Sequence, residues 1–552
     1  MVRAATDPTD VRRRVAELLD VDPQTLDPDA DLIAAGLDSI RMMSLSGRWR
    51  REGFDVDFAA LAANPTITGW AQLLSAPGPV TPPAGDTHTA DGEDAPFPLA
   101  PMQHAMWVGR NDNQELGGVA GHLYVEFDGA RIDADRLRAA ADALARRHPM
   151  LRVEFLPDGT QFISRRALPV TVDDLRGLGD ADAAARLQHT REAKSHQLLT
   201  GEVLQLSLTL LPGGTTRLHV DLDMQAADAV SYRTLMDDLV RLYRGEELGE
   251  LGYSYRRYRC EACVSDARAD ADRTWWAERI PELPDAPGLP TVPPAEAADP
   301  RRSTRRWHWL DPQTATALCA SAQRHGITPA MAVAASFSGT LARWSTGPRF
   351  LLNVPMFARQ PRHPDVDALV GDFTSSLLLD VDLHGATTAL DRAHSVQQTL
   401  HTAAAHSGYT GLEVLRDLGR HRGKPSYAPV VFTSALGLGD LFSADVVTEF
   451  GEPVWIISQG PQVLLDAQVT EFNGGILVNW DVREDLFRPG VIDAMFDHHI
   501  AELHRLAGDP GAWEAAESAE CSTFRGRRGD CKGTSPLFLI DAPRAKSVPP
   551  MR

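Results

Sequence analysis

The chain has 552 residues, which is too long for one compact core and allows two to four domains. Its apolar content of 43% and charged content of 24% are ordinary for a soluble globular protein. The formal charge of -20 argues against a nucleic-acid partner, whose phosphates need a basic surface, and against an anionic membrane surface.

Cysteine content and apolar runs bear on the compartment. The five cysteines are few and odd in number, which fits a reducing compartment better than a disulfide framework. The opening MVRAATDPTDVRRRVAELL contains no apolar signal-peptide core, and no apolar run approaches the ~20 residues needed to cross a bilayer. We therefore expect a cytoplasmic protein that does not associate with membranes.

Residues 1–76 are predicted to form a small helical bundle. The stretches DVRRRVAELLD and TITGWAQLLS have apolar residues at helical spacing, and a further helix is expected after DLIAAGLDSI. Residues 77–95 are rich in Pro, Gly, Thr and Asp and cannot build a core, so they predict a flexible linker.

Residues 96–515 mix strand and helix patterns, as an α/β domain does. A Pro-rich stretch at 281–300 divides the region and predicts an N-lobe at about 96–275 and a C-lobe at about 276–515. Residues 516–552 lose periodicity and are expected to be a disordered tail. The strand-like stretches are LYVEFDG, RLHVDLD, RFLLNVPMF, APVVFTSALG, PQVLLDAQVTEF and GILVNWD, and the helix-like ones are ADRLRAAADALARRH and TPAMAVAASFSGTLARWS.

Ser39 lies in GLDSIRMM, at the first turn of a predicted helix. A helix N-cap is the commonest role of a serine at such a position. The alternative is a phosphodiester on its hydroxyl, because a helix N-terminus stabilises phosphate and the bundle is tethered by a linker.

The stretch GLDSIRMMSLSGRWRREGFDVDFAALAANPTITGWAQLLS resembles the acyl carrier domains of nonribosomal peptide synthetases, and among them the aryl carriers of catechol and salicylate siderophore assembly. The resemblance implies that Ser39 carries a 4′-phosphopantetheine arm whose thiol holds an acyl group as a thioester. It also implies a phosphopantetheinyl transferase as the partner that attaches this arm.

Six stretches of the larger region resemble, in order, the motifs of heterocyclization domains from the same synthetases. The resemblance implies two lobes like those of chloramphenicol acetyltransferase, in a V shape, with carriers entering a tunnel between them from opposite sides. The stretches are FPLAPMQHAMWVGR, RHPMLRVEFLPDGTQ, DMQAADAVS, LVGDFTSSLLLDVD, PVVFTSALG and SQGPQVLLDAQV.

The stretch DLDMQAADAVS separates this type from ordinary condensation domains, which have HHxxxDG there. Asp223 and Met224 stand at the two His positions and Asp228 at the Asp position, and Ser231 completes the DxxxxDxxS signature of heterocyclization domains. Two carboxylates close together in a core repel unless they are paired or protonated. We expect the pair to anchor the turn, with Asp228 as a helix N-cap or in a salt bridge.

Three arginines are candidate partners for these acids, and the sequence does not choose among Arg233, Arg343 and Arg359. Under this hypothesis, substitution of either acid abolishes activity by deforming the tunnel and not by removing a proton carrier.

The implied chemistry has two parts. The amine of a Cys, Ser or Thr on a downstream carrier attacks the thioester on the Ser39 arm, and the side-chain thiol or hydroxyl then attacks the new amide carbonyl with loss of water. The product is an aryl-thiazoline or aryl-oxazoline. Neither the acceptor nor the aryl group, salicyl or 2,3-dihydroxybenzoyl, is settled by the sequence.

In the family, the Thr of the FTS motif and the Asp of the PQVxLD motif are tied to ring closure. Here these residues are Thr433 and Asp466. A carboxylate in a dry tunnel suits proton transfer, because burial raises its proton affinity. Asn353 and Gln468 match family positions where an amide could orient the intermediate.

Two alternatives remain beside cyclization. One is condensation alone, giving an open aryl amide, and the other is a non-catalytic scaffold that only presents the carrier. The presence of Thr433, Asp466 and both signature acids favours cyclization over either alternative.

The chain departs from the family pattern at Gly460, which occupies the Thr position of SQTPQ and is expected to loosen one tunnel wall. No adenylation motif is present either. This predicts that a separate aryl-adenylating ligase loads Ser39 in trans and that the amino acid arrives on another polypeptide's carrier.

Three further patterns carry no predicted chemistry. The lone CEAC at 260–263 has no second pair and GLGD at 437–440 is predicted to be a turn, so neither a metal nor a phosphate site is expected. The pair His498–His499 lies in FDHHIAELH and is predicted to be solvated on a surface helix.

Overall fold

The computed structural model describes residues 8–19, 21–32, 64–75, 95–111, 114–196, 201–261, 267–293, 303–357 and 359–516, and single positions between 35 and 61. Ser39, most of the predicted linker and almost all of the predicted tail lie outside the described residues.

The N-terminal unit has helices at both ends of its described part, α1 (Pro8–Leu19) and α2 (Ile67–Ser75). Both were predicted from apolar residues at helical spacing, and both predictions are confirmed. Trp49 and Trp70 form the centre of a small core, with ring centroids 5.7 Å apart in an edge-to-face arrangement. The indole N–H of Trp70 donates to the carbonyl oxygen of Leu61 at 2.9 Å, so the ring is buried with its polar group satisfied.

The N-lobe is built on a five-stranded sheet of order β12-β2-β7-β6-β5. Its helices pack over this sheet, and a small sheet of order β1-β4-β3 lies beside them. The strands are β1 (Phe97–Pro98), β2 (His122–Gly129), β3 (Val153–Phe155), β4 (Thr160–Ile163), β5 (Val170–Asp174), β6 (Leu204–Leu210), β7 (Thr216–Asp223) and β12 (Gly451–Gln459). The helices are α3 (Pro101–Gly109), α4 (Ala134–Arg147), α5 (Asp180–Ser195), α6 (Ala229–Tyr243) and α7 (Tyr255–Glu261). The next helix, α8 (Ala267–Arg279), packs against the C-lobe, where the indole N–H of Trp276 donates to the carbonyl oxygen of His406 at 3.1 Å.

The C-lobe is built on a six-stranded sheet of order β10-β9-β11-β13-β14-β8. β11 runs parallel to β9 and β13, and the other neighbours are antiparallel. The strands are β8 (Ser303–Leu310), β9 (Arg349–Phe357), β10 (Thr374–Asp382), β11 (Val430–Ser434), β13 (Leu465–Phe472) and β14 (Gly475–Arg483). The helices are α9 (Pro312–Arg324), α10 (Pro329–Trp344), α11 (Ala389–Ala405), α12 (Gly411–Arg422) and α14 (Val491–Gly508), with α13 (Ala444–Phe450) before β12.

One strand crosses between the lobes. β12 lies within the predicted C-lobe but pairs antiparallel with β2, placing Ser458 opposite Leu123 in the N-lobe sheet. Gly451 begins this strand with a φ of +95°, and a Cβ there would lie 2.2 Å from the carbonyl oxygen of Asp128. The division of the chain near residue 276 therefore misses an exchanged segment that joins the two lobes.

His499 corrects one sequence prediction. It was expected to be solvated, but its side chain is fully buried and its ring lies 5.6 Å from that of Trp480. Burial lowers the pKa of His499 to about 3, so it stays neutral at ordinary pH. The buried face of α14 includes position 499, whereas His504 contacts His308 at 2.9 Å.

Within the part of the chain that the structure describes, no helix is long and apolar enough to cross a membrane. The same residues contain no cluster of three His, Cys, Asp or Glu side chains that could hold a metal ion.

Candidate active site

A cavity of about 1340 Å³ lies between the two lobes. On the N-lobe side it is lined by α3, by the end of β7 and by the start of α6, including Met106, Met224 and Asp228. On the C-lobe side it is lined by one face of the six-stranded sheet, by α12 and by the loop at 460–463. The site is thus a space between two walls, one from each lobe.

Strand register places the predicted ring-closing residues on the C-lobe wall. Side chains of residues paired across neighbouring strands point to the same face of a sheet. One row of paired positions contains Asn353, Val431, Asp466, Asp481 and Arg305. The next row contains Thr433, Gln468 and Asn479, followed by Trp307 at the sheet edge.

Thr433 and Asp466 are in direct contact on this wall. The hydroxyl of Thr433 donates to Oδ1 of Asp466 at 2.8 Å. The amide Nε2 of Gln468 donates to the other carboxylate oxygen, Oδ2, at 2.7 Å. Both bonds favour the ionised carboxylate, which accepts from the two donors at once.

Burial acts on Asp466 in the opposite direction. Removal from water raises the pKa of Asp466 to about 6, although the bonds from Gln468 and Thr433 pull it down. An acid with a pKa in this range can both accept and release a proton near neutral pH. The arrangement can therefore perform general acid–base chemistry on a group in the cavity.

Gln468 is held by a further set of polar contacts. Its Oε1 accepts from Nδ2 of Asn479 at 2.9 Å and from Arg305 at 3.2 Å, and its Nε2 donates to Oγ of Ser458 at 2.8 Å. With every polar atom of the amide engaged, its orientation toward Asp466 is fixed.

Asn353 faces the same cavity two strands away. Its Oδ1 is buried and has no hydrogen-bond partner among the described residues. A buried acceptor left unpaired is costly, so this oxygen is suited to bind an N–H or O–H group of a bound molecule.

The comparisons with known proteins agree with this geometry. Residues 94–519 match the model of the condensation domain, and residues 9–74 match that of the phosphopantetheine attachment site. The cyclization-docking bidomain of the EpoB nonribosomal peptide synthetase from Sorangium cellulosum is 32% identical, with a TM-score of 0.69 over 77% of this chain and 87% of that one. The chain belongs to the condensation domains of nonribosomal peptide synthetases, in their cyclization branch. The family prediction is confirmed.

Two curated relatives are longer proteins. Phenyloxazoline synthase MbtB from Mycobacterium sp. (strain MCS) is 65% identical over 524 residues, which cover 94% of this chain and 45% of that protein. Pyochelin synthetase PchE from Pseudomonas aeruginosa is 37% identical over 500 residues, which cover 89% of this chain and 35% of that protein. The chain therefore spans less than half the length of these relatives.

The first signature acid of this cyclization domain, Asp223, is not among the residues that line the cavity. It forms an ion pair with Arg110, the C-cap residue directly after α3, and its Oδ1 accepts from the backbone N–H of Gln225 at 3.0 Å. Burial raises the pKa of Asp223, while the charge of Arg110 opposes that shift. Arg110 was not among the arginines considered from the sequence, and its partner lies 113 residues along the chain.

The second signature acid, Asp228, is the N-cap of α6, and its Oδ1 accepts from the backbone N–H of Ser231 at 2.7 Å. The same carboxylate pairs with Arg359 at 3.1 Å and accepts from the backbone N–H of Phe373 at 3.2 Å. Ser231 donates through Oγ to the carbonyl oxygen of Gly371 at 2.7 Å. Asp228 and Ser231 thus attach the start of α6 to the segment that precedes β10.

Of the three candidate arginines, Arg359 is the one that pairs with a signature acid. Arg233 donates to the carbonyl oxygen of Asp440 at 2.6 Å and holds the GLGD turn, which the structure confirms as a turn. The guanidinium of Arg343 lies 5.3 Å from the ring centre of Trp344.

Sequence reasoning missed four members of the C-lobe network: Arg305, Ser458, Asn479 and Asp481. Asp481 accepts two bonds from Arg305, at 2.7 and 2.5 Å, and one from Oγ of Ser458 at 2.7 Å. The sequence offered only a weak signal for Asp481, which is an acid at the end of the apolar stretch GILVNWD. Nothing in the sequence indicated its partner Arg305, which lies 176 residues earlier.

Gly460 lies on the cavity wall as expected, in the loop that follows β12. The next residue, Pro461, packs closely against Gly109, where a Cβ would lie 2.6 Å from it. The loop therefore packs against the end of α3 through the side chain of Pro461.

The match to the phosphopantetheine attachment site shows that the chain carries a carrier domain with covalently attached 4′-phosphopantetheine. One feature of the structure fits this group, the interlobe cavity of about 1340 Å³, whose lining is largely apolar and would admit an acyl group on the arm.

Proposed function

We propose that this chain condenses an aryl thioester, held on the Ser39 arm, with an amino acid on a downstream carrier and then closes the product to an aryl-oxazoline. The observation that carries the proposal is the Thr433–Asp466 pair on the cavity wall, with Asp466 raised to a pKa of about 6. The 65% identity to a phenyloxazoline synthase supports an oxazoline product. The acceptor is accordingly Ser or Thr rather than Cys.

Condensation comes first. The acceptor amine attacks the acyl carbon, which phosphopantetheine on Ser39 would supply as a thioester. The C–S bond would break as the C–N bond forms, and the proton lost by the amine would go to the released thiol. When bound, the phosphopantetheine arm supplies the activated thioester and its reach into the cavity. The interlobe cavity holds both reactants at high effective concentration.

Ring closure uses the C-lobe wall. The acceptor hydroxyl attacks the new amide carbonyl, and ionised Asp466 takes the proton that the hydroxyl loses. Asp466 returns this proton to the former carbonyl oxygen, which becomes a hydroxyl. The carboxylate then takes the N–H proton as the C=N bond forms and passes it to this hydroxyl, which departs as water, so the net change is the loss of one water.

The neighbouring side chains assist this transfer. Thr433 and Gln468 hold both carboxylate oxygens of Asp466 and orient it for the exchange. The unpaired Oδ1 of Asn353 accepts from the N–H of the amide intermediate, which holds the carbonyl toward the attacking hydroxyl.

The partners follow from the same scheme. A phosphopantetheinyl transferase attaches the arm to Ser39, and an aryl-adenylating ligase acting in trans loads it with salicylate or 2,3-dihydroxybenzoate. Because the relatives are more than twice as long, we propose only that the amino acid arrives on a downstream carrier, without requiring another polypeptide. We place the reaction in the cytoplasm, where the thiol of the arm stays reduced.

Mass spectrometry of the downstream carrier tests the proposal. With Ser39 loaded with salicylate and the carrier loaded with threonine, the wild type is expected to give a product one water lighter than the open amide. Thr433→Ala and Asp466→Ala should give the open amide with little or no ring. Asp380→Ala, a substitution in the same sheet at an exposed ion pair, should leave the ring intact.

The other outcomes contradict the proposal in different ways. Only the open amide from the wild type would show condensation alone, and no transfer would show a scaffold. Ring formation by both variants would remove Thr433 and Asp466 from the mechanism.

A further inference from the structure

Ser458 connects the two lobes inside the site. It belongs to β12, which is part of the N-lobe sheet. Its Oγ and its backbone N–H both donate to Oδ2 of Asp481, at 2.7 and 3.0 Å, and Asp481 lies on β14 of the C-lobe sheet. The same Oγ accepts from Nε2 of Gln468. A single hydroxyl thus joins the exchanged strand to the side chain that holds Asp466.

Asp481 and Arg305 form a buried ion pair at this junction, with side chains 3% and 4% exposed. Removing two charges from water is costly, and such a pair is often no more stable than an apolar replacement. Its position therefore calls for a reason other than stability. Arg305 reaches past Asp481 to donate to Oε1 of Gln468 at 3.2 Å, so the pair bears directly on the amide beside Asp466.

The pair and Ser458 together decide which way the Gln468 amide points. Its Oε1 faces two donors, Arg305 and Asn479, and its Nε2 faces Asp466 and Ser458. A flipped amide would direct Oε1 at the carboxylate of Asp466 and its N–H groups at two donors. The flipped state is therefore disfavoured while Arg305 and Asn479 face Oε1, and Asp481 holds Arg305 in that place.

We propose that Arg305, Asp481 and Ser458 are positioning residues for ring closure, which hold Gln468 against Asp466 only when the exchanged strand β12 is seated on the C-lobe sheet. This inference rests on the proposed function and adds a condition to it: condensation needs only the cavity, whereas cyclodehydration also needs the contact between the lobes at Ser458. Seating of β12 therefore determines whether the intermediate leaves as an open amide or as a ring.

The charges of Asp481 and Arg305 affect the pH dependence of ring closure, which separates a positioning role from loss of the fold. The carboxylate of Asp481 raises the pKa of Asp466, and the guanidinium of Arg305 lowers it. Removing the charge of Asp481 should therefore move the pH midpoint of ring closure downward. Removing the hydroxyl of Ser458 changes no charge and should leave the midpoint in place.

The test follows ring closure alone, with the open aryl-threonyl amide supplied on the downstream carrier and Ser39 loading left out. Ser458→Ala and Asp481→Asn are each expected to slow ring closure by roughly tenfold, the effect of one lost positioning hydrogen bond. Amide formation, measured separately from the loaded aryl and threonyl carriers, should stay within about twofold of the wild type. The acid midpoint should fall in Asp481→Asn and stay unchanged in Ser458→Ala.

Asp380→Asn is the matched control. Asp380 makes a bidentate pair with Arg349 across β9 and β10, at 2.9 and 2.6 Å, in the same sheet but away from the cavity lining. Its loss should change neither the rate nor the midpoint. Wild-type ring closure in Ser458→Ala, or an unmoved or raised midpoint in Asp481→Asn, would overturn the inference while leaving the proposed function in place. A wild type that makes only open amide would instead overturn the proposed function itself.

Discussion

Asp228→Ala should destabilise the fold and lower amide and ring formation in the same proportion. The substitution removes the N-cap of α6, which costs about 1 kcal/mol. It also leaves Arg359 without its carboxylate at a position where the side chain is only 8% exposed. Removing one partner of a buried ion pair costs roughly 3–5 kcal/mol of stability, because the other charge stays buried without a partner.

The remaining contacts of Arg359 reduce that figure. Its guanidinium still donates to the carbonyl oxygens of Val366 and Leu369, at 3.1 and 2.8 Å, and to Oγ of Ser231 at 2.8 Å. We therefore take about 2–3 kcal/mol for the unpaired charge and, with about 1 kcal/mol for the cap, expect a total loss of about 3–4 kcal/mol. Asp228→Asn keeps an oxygen acceptor for the cap and should lose only about 1–2 kcal/mol.

Urea unfolding followed by circular dichroism measures these differences, and mass spectrometry of the downstream carrier measures amide and ring in the same preparations. The loss of stability should be larger in Asp228→Ala than in Asp228→Asn, and the ratio of ring to amide should stay at its wild-type value in whatever product is formed. If Asp228→Ala unfolds at the wild-type urea concentration yet makes amide without ring, the carboxylate is a proton carrier and the structural role assigned to it is refuted.

Three further predictions concern pH and packing. Ring closure needs ionised Asp466, whose pKa is about 6. Well below this pH, the yield of ring relative to amide should fall about tenfold per pH unit. A yield that stays constant down to pH 5 would contradict the role of Asp466 as the base. Burial lowers the pKa of His499 to about 3 from its ordinary 6.5, so protons favour the unfolded chain and this side chain contributes a loss of about 2 kcal/mol of stability between pH 7 and 5. Thermal unfolding should show a pH-dependent loss that is smaller by about this amount in His499→Phe than in the wild type, and an equal loss in the two proteins would contradict it. Gly371→Ala would place a Cβ 2.1 Å from the ring of Tyr255 and should cost about 1–3 kcal/mol by urea unfolding, whereas Gly347→Ala, where nothing lies within 4 Å, should be neutral.

Local pattern was a sound guide to the elements that carry the site. RFLLNVPMF predicted a strand over the nine residues that β9 occupies, and TPAMAVAASFSGTLARWS predicted the helix α10. Periodicity succeeds here because one face of each element is buried, and burial imposes the spacing of apolar residues. The N-cap role of Asp228 could also be predicted, because a cap residue and its helix are adjacent in sequence.

Contacts between distant segments of the chain could not be predicted from the sequence. Asp223 offered no sign of Arg110, and Asp481 none of Arg305, because an ion pair leaves no periodic trace in either segment. His499 was predicted to be solvated because a polar side chain is ordinarily exposed, yet the packing of α14 against Phe337 and Trp480 buries it.

The sequence by itself determined the family, the strands that hold Thr433 and Asp466, and the acidic signature that departs from HHxxxDG. Only the tertiary structure decided that Thr433 and Asp466 touch, that the signature acids hold the turn in place, and that β12 crosses into the other lobe. The physical reason is that a strand pattern specifies which face of the strand is buried but not which sheet the strand joins. That choice is made by the packing of the two lobes, and here it brings Ser458 to Asp481.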